Sequence, residues 1–135
     1  MTGPSHFELL LQAAAAQPEP QRLLFVFARA ELPADATPAQ RARYEAGLGG
    51  APSPLACVDK GVPDLSTFEA LVTESRQASP PWQVVFIAGL GGSAGQAPSP
   101  QLVDSALQTM VENVRAGHLR GYLALGPSGE PLTFS

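Results

Sequence analysis

The stretch from Trp82 to Gly121 constrains this chain most, because it specifies a strand, a glycine-rich connection and a helix in succession. Trp82-Gln83-Val84-Val85-Phe86-Ile87-Ala88 is a near-continuous apolar run rich in β-branched and aromatic residues. A half-exposed strand would alternate apolar with polar positions, so this run reads as a central strand covered on both faces. Gly89 to Gly95 holds four glycines in seven residues and reads as a loop that breaks the strand, since glycine favours turn conformations over a ladder. A helix follows, with Ser99 as N-cap and Pro100 at its first position, where the missing N–H costs nothing. Leu102, Val103, Ala106, Leu107, Met110, Val111 and Val114 fall on one stripe of its surface. Gly117 ends the helix, and Arg115, His118 and Arg120 suit the negative end of its dipole.

The rest of the chain repeats this grammar. Ser5-His6-Phe7-Glu8 is a capping box that opens an amphipathic helix, stopped by Pro18 and Pro20. Leu23-Leu24-Phe25-Val26-Phe27-Ala28 is a second continuous apolar run and reads as a buried strand. Thr37-Pro38-Ala39-Gln40 opens a short helix, polar on most sides, that ends at Gly47. Gly49 to Pro54 reads as a loop and Leu55-Ala56-Cys57-Val58 as a short strand. Ser66-Thr67-Phe68-Glu69 is another capping box, with Phe68, Leu71 and Val72 facing inward. Near the end, Tyr122–Leu125 and Pro131–Phe134 flank Gly126-Pro127-Ser128-Gly129, which is hairpin turn chemistry. A shift that carries Ser5 onto Ser66 also carries Phe7, Glu8, Leu10, Pro20 and Phe25 onto Phe68, Glu69, Leu71, Pro81 and Phe86 without a gap. The halves 5–61 and 66–135 therefore read as two α-β-α-β units, the second extended by the hairpin.

These elements predict one globular domain over 1–135, in the α/β or α+β class. The expected architecture is a mixed sheet of about five strands with three to four helices packed on it. Leu23–Ala28 and Trp82–Ala88 should be central and Pro131–Phe134 an edge.

Composition narrows the functional classes. A formal charge of −4 without a basic run argues against nucleic acid as partner. No apolar segment approaches a membrane span. The apolar opening Phe7–Ala16 lacks a preceding Lys or Arg and is interrupted by Glu8, so it reads as helix rather than signal peptide. The single Cys57 allows no internal disulfide and fits a reducing compartment, so a cytoplasmic setting is expected. Only 15% of the residues are charged, against about 25% in soluble domains. A bias towards Ala, Gly and Pro accounts for that more simply than a covered subunit interface, though the interface remains open.

Candidate chemistry is sparse. Gly89-Leu90-Gly91-Gly92-Ser93-Ala94 formally fits the G-x-G-x-x-G/A dinucleotide pattern after a strand. In that motif the helix starts inside the glycines, whereas Pro98 and Pro100 delay it here. A looser anion site remains, formed by amides of Gly91, Gly92 and Ser93 with the Ser99 helix start and Lys60 as a cation. The alternative is a surface loop whose glycines merely permit turns. Cys57 beside Asp59-Lys60-Gly61 could be an activated thiol at a strand end. His6 and His118, the only histidines, sit at helix ends, so a buried structural cysteine is the favoured reading. One Cys and two dispersed His offer no ligand pair for a metal, and no cofactor is expected. The carboxylates Glu31, Asp35, Asp59 and Asp64 stand near predicted element ends, where clustering could pair two for acid–base work.

The segments Leu24–Pro33, Thr37–Arg41, Cys57–Lys60, Trp82–Ala88 and Met110–Glu112 resemble a small uncharacterised proteobacterial family, over most of the chain. Its members commonly carry the label "ribonucleotide reductase subunit alpha". That label implies radical reduction of nucleotides, which needs a radical cysteine and a redox pair on a much larger barrel. Cys57 alone cannot fill those places, so the resemblance carries over without the activity or any catalytic residue. A fainter likeness is to the amino-terminal module of the enhanced-serine-sensitivity family, which implies paired α/β units with a strand hairpin. The expected function is a non-enzymatic module that binds a protein partner or itself. A domain binding a small ligand or anion through Gly89–Gly95 is the rival, and an enzyme built on Cys57 comes third.

Overall fold

The two continuous apolar runs become the inner strands of a four-stranded antiparallel sheet. The computed structural model describes residues 5–31, 35–45 and 51–132. Its strands are β1 (Gln21–Glu31), β2 (Ala51–Gly61), β3 (Val84–Gly91) and β4 (Leu123–Leu125), in the order β2-β1-β3-β4. The helices are α1 (His6–Ala15), α2 (Pro38–Glu45), α3 (Phe68–Ala78) and α4 (Pro100–Ala116), with a 3-10 turn at Val62–Asp64. The class is α+β. Among the described residues the expected mixed sheet of about five strands is corrected to four strands, antiparallel throughout. Among the described residues the hairpin partner of β4 contributes one bridge, Leu125 to Pro131, and one bond, from the Leu132 N–H to the Ala124 carbonyl at 2.9 Å. Pro131 has no N–H for a ladder, and Thr133 and Phe134 lie outside the described residues.

Alternation explains why these strands are apolar without interruption. Leu23, Phe25 and Phe27 of β1 join Val85 and Ile87 of β3 beneath α1 and α3, where Phe7, Phe68, Leu71, Val72 and Trp82 are buried. Leu24, Val26 and Ala28 face the other way with Val84 and Phe86, against Val103, Leu107, Met110 and Val114 of α4. Each side chain so buried contributes about 1.5–3 kcal/mol, and two such layers need apolar residues at every strand position. The Trp82 indole N–H donates to Ser75 Oγ at 2.8 Å, and that hydroxyl donates to the Val72 carbonyl at 2.7 Å. A buried polar pair is thereby satisfied.

Helix ends follow the sequence signals closely. Ser5 Oγ accepts from the Glu8 N–H at 3.1 Å. At α2 both halves of a capping box form, Gln40 N–H to Thr37 Oγ1 at 3.1 Å and Thr37 N–H to Gln40 Oε1 at 2.9 Å. The expected end of α2 at Gly47 lies outside the described residues. At α3 the cap is Thr67 rather than Ser66, because the helical ladder begins with the Leu71 N–H on the Thr67 carbonyl. Gly117 closes α4 at φ 79°, with its N–H on Val114 and that of His118 on Asn113, a Schellman ending.

The elements of the two halves run in the same order, α-β-α-β, and the sheet order sets β1 against β3 at the centre with β2 and β4 outside. Phe7 and Phe68, superposed by the shift, meet with ring centroids 5.4 Å apart. The halves differ in their second helices: the described side chains of α2 are exposed, whereas α4 buries a full stripe.

Candidate functional site

The glycine segment is more ordered than its composition suggests. The expected break at Gly89 is corrected: β3 runs on to Gly91, pairing Gly89 with Leu23 and Gly91 with Gln21. Ser93 and Gln96 then bond to each other in both directions, at 3.0 and 2.9 Å. Between them Ala94 (φ 53°) and Gly95 (φ 77°) form a two-residue turn of the hairpin type. Gly92 is required by packing, since a Cβ there would collide with the backbone carbonyl of Gln96.

This order consumes the amides that an anion would need. The Gly92 N–H donates to the Pro20 carbonyl at 2.9 Å and the Ser93 N–H to Gln96. The Gly95 N–H already holds a carboxylate oxygen, Glu19 Oε2 at 2.7 Å. Gly91 turns its amide away from β1, and one amide is not the concave nest that binds anions. Ser99 is spent on its helix, with Oγ accepting from the Leu102 N–H at 3.2 Å. Lys60 stands on the opposite face of the sheet, its Nζ 2.9 Å from Glu74 Oε1 of α3. The five residues grouped from sequence are thus not brought together: Gly91, Gly92 and Ser93 adjoin, Ser99 caps α4, and Lys60 belongs to the α3 side. A shallow depression of about 40 Å³ lies beside Lys60, Asp64, Ser66, Thr67 and Glu74.

Cys57 lies in the middle of β2 and is exposed, which corrects both the strand-end and the buried-cysteine expectations. Asp59 is held by Arg22, whose Nε donates to Oδ2 at 3.0 Å and whose Nη2 donates to the same atom. The side chain of Glu31 lies outside the described ones. Among the described residues no group of His, Cys, Asp and Glu could hold a metal ion, and no helix is long and apolar enough to cross a membrane.

What the fold exposes is an edge. The expected loop over Gly49–Pro54 is corrected from Ala51 onward, where β2 begins and continues for 11 residues. The carbonyls of Pro20 and Ala28 accept from Gly92 and Gln83, so even-numbered residues of β1 direct their backbone groups towards β3. Odd-numbered Leu23, Phe25 and Phe27 therefore bond to Lys60, Val58 and Ala56 of β2. By the same alternation Cys57 and Asp59 direct their N–H and C=O groups outward. A register shift at Phe27/Ala28 places Pro54 opposite Ala28 and Pro52 opposite Ala30. Both prolines thus stand where an N–H would point off the sheet, the position an edge strand tolerates. The ladder to β1 survives, and pairing from outside is blocked at the proline end. Leu55 to Lys60 stays open, with no outer backbone partner among the described residues, and Gly61 is buried beside Arg22 and Asp64. At the opposite edge, Leu132 bonds to the outward carbonyl of Ala124 and covers β4. Sequence reasoning missed this surface, although two prolines spaced by one residue before a short apolar run are an edge-strand signal.

No protein-family model matches the chain, and no curated protein or solved structure does so.

Proposed function

We propose that this chain is a non-enzymatic protein-interaction module that works by strand addition, taking a partner segment along Leu55–Lys60 of β2. The observation that carries the reading is the outward set of backbone groups at Cys57 and Asp59, on a sheet whose two faces are already covered by α1, α3 and α4. Main-chain hydrogen bonds along such an edge supply affinity, and alternate side chains supply selectivity. The apolar character of the segment, with Leu55, Ala56 and Val58 half-buried, leaves a partner strand a partly dry flank. The likeness to the small proteobacterial family suggests the bacterial cytoplasm as the setting, which a lone exposed thiol suits.

The test compares baits. Wild-type protein, Cys57→Ser and Cys57→Pro are immobilised and exposed to a proteobacterial lysate. Proline removes one outward N–H and no bond of the β1 ladder, so species held by strand addition stay on wild type and Cys57→Ser and leave Cys57→Pro. Equal retention on all three baits overturns the proposal.

A further inference from the structure

We infer that the occupant of the β2 edge is a second copy of this chain, paired antiparallel about a two-fold axis at Val58; this rests on the strand-addition reading. Pro54 closes the edge on one side and Gly61 is buried at the other end of β2, so the outward backbone groups left open are those of Cys57 and Asp59, whose midpoint is Val58. A two-fold there matches these groups to those of the second copy. Outward-facing residues must oppose each other in such a pair, and this register sets Cys57 against the partner's Asp59 and Asp59 against the partner's Cys57. Lys60 falls against the partner's Ala56.

Charge selects the same register. A two-fold at Asp59 would place carboxylate against carboxylate, and like charges directly opposite disfavour pairing. A two-fold at Cys57 would set the outward groups of Asp59 against the partner's Leu55, at the register shift beside Pro54. At Val58 no like charges oppose, and each ionised side chain of the edge is already neutralised within its own chain. Asp59 is bound by Arg22 and Lys60 by Glu74. The copy therefore brings no uncompensated charge to the seam, and the sheets of the two protomers become continuous.

Sedimentation velocity of the purified protein from micromolar to millimolar concentration tests the pairing. Wild type is expected to shift from monomer to dimer with concentration, and Cys57→Pro to remain monomeric with an unchanged far-UV CD spectrum. A cross-link tests the register and does not depend on that variant folding. Residues opposite each other in a non-hydrogen-bonded pair have Cα atoms about 4.5 Å apart, within disulfide range. Val58→Cys in a Cys57→Ser background should therefore give a covalent dimer under mild oxidation, and native Cys57 should not. A wild type that stays monomeric without cross-linking overturns self-pairing, while the bait comparison decides the strand-addition reading separately. A dimer that survives Cys57→Pro, or cross-links through native Cys57 in preference, overturns the proposed seam.

Discussion

Removing the hydroxyl of Ser75 tests how the core tolerates the buried polar pair of Ser75 and Trp82. Trp82 is 7% exposed and Ser75 5% exposed, and the indole N–H reaches Ser75 Oγ at 2.8 Å. Ser75→Ala deletes the acceptor and leaves a buried donor unsatisfied, at a cost of about 1–3 kcal/mol. The Val72 carbonyl, which also receives the serine hydroxyl, lies within α3 and loses less. Unfolding entropy near 60 °C is about 2.1 cal/mol/K per residue, so over 135 residues a loss of about 2 kcal/mol lowers Tm by roughly 7 °C. Trp82 is the only tryptophan, so its fluorescence follows the environment of the bond itself during guanidinium unfolding, and far-UV CD follows the whole domain. The decisive comparison repeats Ser75→Ala in a Trp82→Phe background, where no donor remains to be stranded. There the substitution should cost less than about 0.5 kcal/mol, a coupling of the size double-mutant cycles resolve. An equal cost in both backgrounds would refute the account and assign the effect to packing or helix propensity.

Other substitutions rank by the same logic. Phe7→Ala, at a side chain 1% exposed against Phe68, should lower stability by about 3–5 kcal/mol in chemical denaturation, whereas Leu9→Ala, 48% exposed on the same helix, should fall within about 0.5 kcal/mol of wild type. Within the glycine segment, Gly92→Ala should lower Tm most, because its Cβ meets the backbone of Gln96. Gly95→Ala (φ 77°) should cost about 1 kcal/mol through its left-handed conformation, and Gly91→Ala least, because its Cβ meets the movable end of Gln21 at 2.9 Å. Arg22→Ala should cost no more than about 1 kcal/mol and lose most of that in high salt, since the Arg22–Asp59 pair is near one-third exposed on both sides.

The core was legible because two covered strand faces require apolar residues without interruption, and Leu23–Ala28 and Val84–Ile87 obey that rule. Caps at Ser5, Thr37 and Ser99 were legible because a short polar side chain before a helix has a single local task. Three features were not. The glycines between Gly89 and Gly95 divide into strand, packing and turn positions according to which backbone lies alongside, and that is a tertiary fact. Lys60 and the glycines were grouped by chemical type, but alternation along β2 and the placement of α3 send Lys60 to the opposite face. The length of β2 was hidden by Pro52 and Pro54, which read as loop until the register shows their nitrogens facing away from the sheet.

Amide hydrogen exchange along β2, residue by residue and at rising protein concentration, tests the open edge most directly. In dilute solution the account predicts slow exchange at Ala56, Val58 and Lys60, which bond to β1, and fast exchange at Cys57 and Asp59. As concentration rises, Cys57 and Asp59 should become protected while the other three change little. Uniform slow exchange in dilute solution would mean that the edge is covered within one chain. Fast exchange at Cys57 and Asp59 that persists at every concentration would contradict pairing through this strand.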